Sequence, residues 1–492
     1  MLHAARMGST DAHNPTISVA GDASIEFASE VARQILRRDA SDVPAPPMGV
    51  DEARSSLPLE IPAVGVGDEE ALARLRRVID ATPPAAGPRF ANQLFAGRES
   101  VATAADMVAA VLNNSMYTYK AAGPQVLVEQ AVLKRMLDLS GMPNGDGMFT
   151  PGGSLSNLAC MIVGRNEVVE GARDDGFDGR GRYVYTSAES HYSVTKNANM
   201  IGVGRRAVRS VEADAEGRMK PDALRAAIRR DRADGANPMM IIATSGTTVM
   251  GAFDPLDALA DVAGDEGLWL HVDGAFGGTA LLNPESRPLM AGIERADSFT
   301  WDPHKMMGVP LMCSVGLTRQ PDLMRKHFDE TASYLFQQDF GPDHGWLNPG
   351  TRSLQCGRRN NALKLWAQWQ ALGDDGYANR VARQLALASH AAGCVRETPG
   401  LELTHDPVWA TICFEVIGRS STAICEKLNE TGELKVGYGI VHGRRVIRLV
   451  TVDPSLSPRD IERMIEDIAR VGASAPNEDN AVVQSTPDSD RV

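Results

Sequence analysis

The sequence predicts an α/β protein with a mostly parallel central sheet that is covered by helices on both faces. Short apolar runs alternate with helical patterns between residues 147 and 272. This alternation is typical of parallel strands that are buried on both sides. The chain has 492 residues, of which 43% are hydrophobic and 23% are charged. It is therefore long enough for two or three lobes with a large core.

Periodicity and turn signals divide the chain into five parts. A polar N-terminus (1–20) is expected to be disordered and precedes a helical segment (21–105). A large domain (106–374) and a smaller C-terminal α+β domain (375–472) follow, before a polar tail (473–492) that is again expected to be disordered. Helices are predicted at 24–36, 69–79, 107–112, 124–139, 158–169, 192–201, 221–230, 255–263, 361–372, 377–395 and 458–471. Strands are predicted at 183–186, 207–211, 239–243, 268–272, 409–416 and 446–452.

Charge and composition exclude several kinds of partner. The formal charge of −13 argues against nucleic acid or an anionic membrane surface as the main partner. The six cysteines are scattered without a CxxC pair, which favours free thiols in a reducing compartment. No secretory signal and no apolar run long enough to span a bilayer is visible, so we expect a cytoplasmic protein. No cluster of metal-ligand residues has the spacing of a site on one element, and no metal is predicted.

One stretch, from Trp269 to Lys305, predicts the chemistry. It opens with an apolar run that ends in Asp273, and it closes with a second run that ends in Lys305. A carboxylate at one strand end can hold a pyridine nitrogen protonated, and an amine at another can form a Schiff base with an aldehyde. These two residues therefore indicate a site for pyridoxal 5'-phosphate.

Other polar residues follow predicted strands, where ligands of open parallel sheets bind. Gly152, Gly153 and Ser154, with Ser156 and Asn157, open a helix and can form a phosphate cradle. An ordinary glycine turn with a serine cap explains the same letters equally well. The polar turn at 244–248 is similarly a cofactor-facing loop or a simple turn.

Three further features have competing interpretations. His191 follows a strand and can stack on a cofactor ring, although a lone histidine is more often merely accommodated. His271 lies within its strand and is interpreted as structural. Residues 202–207 (GVGRRA) resemble a dinucleotide fingerprint, but the expected order of strand before helix is reversed, so we reject that interpretation.

The motifs together resemble the group II pyridoxal-phosphate decarboxylases, in particular the glutamate and cysteine-sulfinate decarboxylase branch. The resemblance runs from about residue 89 to 472. The matching segments are FANQLFAG, NNSMYTY, PGGSLSN, ESHYSV, ATSGTTVMGAFDPL, WLHVDGAFGG, DPHK, ASYLFQQD, QCGRR and VIRLV. It implies a fold-type I enzyme that decarboxylates an acidic L-amino acid such as aspartate, cysteine sulfinate or glutamate. It also implies a homodimer with active sites at the subunit interface, each lid coming from the neighbouring chain.

The resemblance also implies roles for individual residues. Lys305 would be the Schiff-base lysine, Asp273 the partner of the pyridine nitrogen, and His191 the ring that stacks on the cofactor. Other cofactor contacts and the substrate contacts follow from the same match. The cofactor contacts are Gly153, Ser154, Thr248, Ala275 and His304, and the substrate contacts are Gln93, Phe95 and Arg448. From the residue alone, Arg448 could instead form a structural salt bridge in the last domain.

Two other functions stay open at this point. A relative with the same cofactor could give the carbanion a different fate, such as oxidative aldehyde formation, elimination or replacement. A noncatalytic relative could bind the cofactor or a protein partner, although the intact Lys305, Asp273 and His191 argue against loss of activity.

Three departures from the family pattern concern the substrate and the intermediate. The segment after QQD, from Phe340 to Trp346, lacks the tyrosine that usually donates a proton in this lid. Tyr119 is followed by Lys120 where the branch usually has glutamate. Asp302 stands where asparagine is common. The lid segment (337–351) is rich in glycine and proline, which disfavours a long helix or strand.

His344 is the candidate proton donor in place of that tyrosine, because it alone in the lid has an ordinary pKa near neutrality, about 6.5. An exposed loop histidine without a role is the alternative. We expect His344→Phe to shift products from the amine toward aldehyde and ammonia while substrate is still consumed. Product analysis by chromatography checks this, and a variant that forms amine at the normal rate removes His344 from the mechanism.

Overall fold

In the computed structural model, which describes residues 22–95, 97–330 and 346–477, seven strands form one central sheet. The strands are β1 (Asp146–Thr150), β2 (Arg182–Ser187), β3 (Val208–Val211), β4 (Asn237–Thr244), β5 (Trp269–Asp273), β6 (Ser298–Trp301) and β7 (Ser314–Thr318). Their order is β1-β7-β6-β5-β4-β2-β3. All neighbouring pairs from β6 to β3 are parallel, whereas β7 is antiparallel to both β6 and β1. Six strands therefore run in one direction, and the predicted mostly parallel α/β fold is confirmed.

A small helical unit precedes the sheet in the chain. It comprises residues 22–41 and 47–84, whereas residues 42–46 and 85–477 form the second compact unit. Its helices are α1 (Asp22–Asp39), α2 (Val50–Ser56) and α3 (Asp68–Ala81). Within this unit the Arg38 guanidinium donates a 2.7 Å hydrogen bond to the carbonyl of Thr82, which ties the end of α1 to the end of α3.

Nine further helices accompany the central sheet in the described part of the second unit, up to Glu397. They are α4 (Ser100–Leu112), α5 (Tyr119–Ala122), α6 (Gln125–Leu139), α7 (Gly153–Val168), α8 (Ser193–Met200), α9 (Pro221–Ala233), α10 (Leu256–Glu266), α11 (Leu323–Phe328) and α12 (Ala362–Glu397). Successive residues of β4 belong to two different apolar clusters. Ile241 packs with Leu270 and Phe299, whereas Met240 packs with Trp269 and Met161. Both faces of the sheet are therefore buried, as strands covered by helices require.

The C-terminal part has a sheet of its own. Its strands are β8 (Leu401–Leu403), β9 (Thr411–Val416), β10 (Gly437–Val441) and β11 (Arg444–Val450), in the antiparallel order β10-β11-β9-β8. Helices α13 (Ser421–Thr431) and α14 (Pro458–Ser474) supply residues to the same apolar cluster. Ser457 and Asp460 form a capping box that starts α14.

Two predicted helices form a single element, and the glycine-rich segment 202–207 precedes a strand. The helices predicted at 361–372 and 377–395 are one element, α12, with a break at Gly373, whose φ of 63° is non-helical. The segment 202–207 follows α8 and leads through a short 3₁₀ helix into β3. The segment therefore precedes a strand, whereas a dinucleotide fingerprint follows one, which agrees with our rejection of that interpretation.

No helix within the described ranges is long and apolar enough to cross a membrane.

A buried ion pair joins α6 to the segment before α12. The Arg358 guanidinium binds the Glu129 carboxylate through two hydrogen bonds of 2.6 and 2.7 Å, and the two side chains are 6% and 4% exposed. Removing one partner leaves a buried charge without compensation. The exposed pair of Arg54 and Asp51, at 3.9 Å, has no such consequence.

We therefore expect Glu129→Ala to lower the free energy of unfolding by about 3–5 kcal/mol, because Arg358 would remain buried and unpaired. Arg54→Ala is the control and should cost less than about 1 kcal/mol. Urea unfolding followed by circular dichroism measures both changes. Equal losses for the two variants would contradict the importance of the buried pair.

Candidate active site

Polar residues from five strands meet at one edge of the central sheet. β4 ends at Thr244 and β5 at Asp273, while the loops after β1, β2 and β6 carry Gly153, His191 and Lys305. Since these strands run in the same direction, their carboxyl ends share an edge. The charges of Asp273, Lys305 and Asp302 all act on the His191 imidazole. The structure therefore brings these predicted site residues together.

Asp273 is a buried carboxylate without a cation. Its side chain is 5% exposed, one oxygen accepts the backbone N–H of Ala275 at 3.1 Å, and the other accepts the Asn157 amide at 2.7 Å. Within the described ranges, Asp273 forms no ion pair with Lys, Arg or His. A buried carboxylate held only by neutral donors is costly. The protonated nitrogen of a pyridine ring would supply the missing positive charge, so this residue fits the cofactor.

Lys305 lies beside a second buried acid. Its Nζ is 3.4 Å from Oδ2 of Asp302, and the two side chains are 21% and 2% exposed. The other oxygen of Asp302 has no hydrogen-bond partner among the described residues. A Cβ added to Gly153 would lie 2.5 Å from Oδ2 of Asp302. The absence of a side chain at Gly153 therefore lets the start of α7 approach the lysine loop.

The predicted phosphate cradle lies at the start of α7, where two of its side chains have other partners. Gly153 and Ser154 form the first turn of α7, where free N–H groups and the positive helix end favour an anion. Ser156 is fully buried, and its hydroxyl lies 2.5 Å from that of Thr150. Asn157 is turned toward Asp273. The side chains of Ser156 and Asn157 therefore have other buried partners, which leaves Gly153 and Ser154 as the proposed phosphate contacts.

Burial and Ser193 together favour a neutral His191 ring with one orientation of its proton. Its Nδ1 accepts the backbone N–H of Ser193 at 3.3 Å and lies 2.8 Å from the Ser193 hydroxyl. Burial lowers the pKa of His191, with Asp273 opposing and Lys305 adding to that effect. The neutral ring therefore carries its proton on Nε2. The ring of Tyr192 packs beside it, with centroids 4.2 Å apart.

The remaining predicted cofactor residues surround this edge. His304 is 8% exposed, its Nδ1 lies 2.7 Å from the carbonyl oxygen of Cys313, and burial lowers its pKa. Ala275 is buried and binds Asp273 through its N–H. Thr248 lies half-buried in the turn after β4. The buried hydroxyl of Ser245, in that turn, has no hydrogen-bond partner among the described residues and could bind a polar ligand atom.

Arg448 is a half-buried guanidinium that connects two loops. It donates hydrogen bonds to the carbonyls of Thr248, at 3.0 Å, and Asn92, at 2.5 Å. Burial lowers its pKa. It forms no salt bridge with the described acidic residues, so the alternative of a structural salt bridge in the last domain does not hold for that part of the chain.

The other two predicted substrate residues lie next to the loop that Arg448 holds. Gln93 is exposed, and Phe95 is half-buried with its ring centroid 6.3 Å from that of Phe90. His344 and residues 331–345 lie outside the described residues. Within the described ranges, no group of three or more His, Cys, Asp or Glu side chains could hold a metal ion.

Ser193 and His271 were not predicted to act on the site, and Asn157 was predicted to contact a phosphate and not Asp273. His271 bonds to Asn157 at 3.0 Å, and Asn157 bonds to Asp273. One sequence signal existed, since residues two apart on a strand share a face and His271 precedes Asp273 by two. The contact of Asn157 with β5 depends on tertiary packing and has no local signal.

Comparison with known proteins identifies relatives along most of the chain. Residues 68–417 match the pyridoxal-dependent decarboxylase conserved domain. An acidic amino acid decarboxylase of Bos taurus is 38% identical over 442 residues, which cover 86% of this chain and 85% of the relative. A cysteine sulfinic acid decarboxylase of Mus musculus is 38% identical over 443 residues, covering 86% and 90%.

A solved structure agrees with these sequence matches. The crystal structure of mouse CSAD superimposes with a TM-score of 0.85 at 34% sequence identity. The superposition covers 92% of this chain and 99% of the other. The likeness thus includes both the central sheet and the C-terminal sheet.

Proposed function

We propose that this chain, which belongs to the pyridoxal-dependent decarboxylase family, removes the α-carboxylate of a small acidic L-amino acid to give the amine. The observation that carries the proposal is the buried Asp273, which has no cationic partner among the described residues, at the sheet edge that Lys305 also borders. The two residues suit the two ends of one aromatic aldehyde, its ring nitrogen and its carbonyl. The alternatives of another carbanion fate or a noncatalytic relative are not favoured by these relatives.

Each side chain at the edge has a task that its surroundings support. Pyridoxal phosphate, when bound, supplies an aldehyde for the substrate amine and an electron sink for the pair that CO₂ leaves behind. We propose that Lys305 holds the cofactor covalently and that Asp273 keeps the proton on its ring nitrogen. Gly153, Ser154 and His304 would hold the phosphate, while Thr248 and Ala275 would pack around the ring.

His191 would lie against the cofactor ring. Its lowered pKa favours a neutral imidazole at neutral pH, and a neutral ring does not repel a cationic pyridine. Its Nδ1 is occupied by Ser193, so only the Nε2–H group is free to donate toward a substrate. His344 remains the proposed proton donor of the lid, on the grounds of its sequence position alone.

We propose that the acidic side chain of the substrate is bound on the side of Arg448, Gln93 and Phe95. Two of the five N–H groups of Arg448 bind loop carbonyls, and its Nε is buried without a partner among the described residues. We propose that the remaining N–H groups of its two terminal nitrogens bind a carboxylate or a sulfinate. The names of the relatives, acidic amino acid decarboxylase and cysteine sulfinic acid decarboxylase, agree with this substrate class.

We further propose a cytoplasmic homodimer with its active sites at the interface. Helix α4 exposes a row of apolar side chains along one side, while Ala102 and Ala109 face inward. These exposed residues, between 41% and 72% accessible in the single chain, are Val101, Met107, Val108, Val111 and Leu112. Such a contiguous apolar row on a folded chain is typical of a surface that another molecule covers, and we propose a second copy of this chain. The six free cysteines suit a reducing compartment.

The central experiment incubates the purified, cofactor-loaded protein with aspartate, cysteine sulfinate, glutamate and nonacidic amino acids. We expect CO₂ and amine from one or more acidic substrates, without stoichiometric ammonia or peroxide. Lys305→Ala is the control and should lose the covalent cofactor, as mass spectrometry after borohydride reduction would show. Cofactor on a different lysine, or release of ammonia and peroxide by the unaltered protein, would overturn the proposal.

Arg448→Lys tests the substrate contact. Lysine keeps the charge but loses the planar fork that binds a carboxylate through two hydrogen bonds. We expect KM for the acidic substrate to rise about tenfold or more, which corresponds to one lost charge-assisted hydrogen bond, while cofactor absorbance is unchanged. Parallel losses of cofactor and thermal stability would instead assign Arg448 to holding the loops together.

A further inference from the structure

A continuous line of buried hydrogen bonds leads to Asp273 from the interior of the protein. The Trp269 indole donates to the Ser298 hydroxyl at 2.9 Å, and that hydroxyl lies 2.9 Å from Nδ1 of His271. Nε2 of His271 lies 3.0 Å from Oδ1 of Asn157, whose amide nitrogen donates to Asp273 at 2.7 Å. We call these five residues the Asp273 relay.

The chemistry of each group fixes the direction of every bond in the Asp273 relay. The Asp273 carboxylate accepts from the Asn157 amide nitrogen, so the Asn157 carbonyl oxygen faces His271 and accepts its Nε2–H group. A neutral His271 ring then has Nδ1 as its acceptor. The Ser298 hydroxyl, which accepts from the Trp269 indole, donates its hydrogen to that nitrogen.

His271 is suited to this task only as a neutral ring. It is completely buried, and burial lowers its pKa to about 4. Near neutral pH it therefore has one acceptor nitrogen and one donor nitrogen, as the two neighbours require. No side-chain nitrogen or oxygen of the Asp273 relay is left buried without a partner.

Asn157 connects the Asp273 relay to His191 through Ser193. Its amide nitrogen also lies 3.4 Å from the Ser193 hydroxyl, which in turn contacts Nδ1 of His191. The amide thus directs its hydrogens toward Asp273 and the His191 side, while its oxygen faces His271. A reversed amide would place an oxygen against the Asp273 carboxylate and its NH₂ group against an N–H donor of His271. The Asp273 carboxylate and the N–H of His271 therefore both hold Asn157 in this orientation.

We propose that Asn157, oriented by His271, is a positioning residue that keeps Asp273 ionised, so that the shared proton resides on the cofactor nitrogen and not on the carboxyl group. This inference rests on the proposed function, because it assumes that Asp273 pairs with that nitrogen. A hydrogen bond to a carboxylate favours its charged form. Without the Asn157 donor, Asp273 becomes more basic and draws the proton toward itself, which weakens the electron sink.

The test is nitrogen-15 NMR of the holoenzyme reconstituted with pyridoxal phosphate labelled at the ring nitrogen. The chemical shift of that nitrogen reports whether it is protonated. In the unaltered protein we expect the protonated signal. In Asn157→Leu and His271→Leu we expect the signal to move toward that of a neutral pyridine. The ratio of molecules with the proton on the cofactor nitrogen to molecules with it on Asp273 should fall about tenfold or more, as the loss of a charge-assisted hydrogen bond implies.

Two variants separate the relay from simple packing. His271→Gln keeps a donor where Nε2 lies and should restore most of the protonated signal, whereas His271→Leu should not. Val163→Ala removes apolar volume from the same buried helix, α7, and should leave the signal unchanged. If Asn157→Leu does not fold, the His271 pair still decides the question.

The outcomes distinguish the inference from its premise. An unprotonated nitrogen in the unaltered protein would refute the pairing with Asp273, and with it that part of the proposed function. A protonated signal in the unaltered protein that stays the same in both leucine variants would refute the relay alone. Shifts that Val163→Ala reproduces would assign the effect to packing and would also refute it.

Discussion

The buried carboxylate of Asp273 is the constraint on which this site depends. Its side chain is 5% exposed, and a buried charge is tolerated only where hydrogen-bond donors and an opposite charge replace its lost water. The protein supplies two neutral donors, the Ala275 N–H and the Asn157 amide, but among the described residues no cation. A ring nitrogen that carries a proton would supply the missing positive charge, as the proposed pairing with the cofactor requires.

The topology of the sheet brings other charged groups to the edge where Asp273 lies. Six strands run in the same direction, so the loops that follow them reach a common edge. Asp302 adds a second buried carboxylate there, next to Lys305 and close to the start of α7. Two acids, a lysine and a helix N-terminus therefore occupy one edge. Gly153 and Ser154 at the helix start would hold the phosphate of the cofactor, and Asp273 would hold its protonated ring nitrogen.

Much of this arrangement could be predicted from residues that are close in sequence. The alternation of apolar strands and helices predicts the parallel sheet, and the acid and lysine after two strands predict the cofactor. Strand β7 was not predicted, because Ser314–Thr318 is short, with glycine at its centre and serine and threonine at its ends. Helix α13 was also missed, although Ser420 caps its first turn in the manner typical of a helix start. The hydrogen bond between His271 and Asn157 joins residues 114 positions apart, and the periodicity of a single segment cannot predict such a contact.

Arg448 illustrates how the C-terminal sheet contacts the turn that follows β4 of the central sheet. It lies on β11 opposite Gly437 of β10, where an added Cβ would come within 2.4 Å of the Asn92 side chain. The small residue leaves room for the loop of Asn92 to reach the guanidinium, which binds that loop and the turn of Thr248 through their carbonyls. Backbone carbonyls satisfy part of the guanidinium without neutralising its charge. Since no described acid pairs with it, the positive charge stays available, and an anionic substrate group that replaced water there would gain a charge-assisted hydrogen bond.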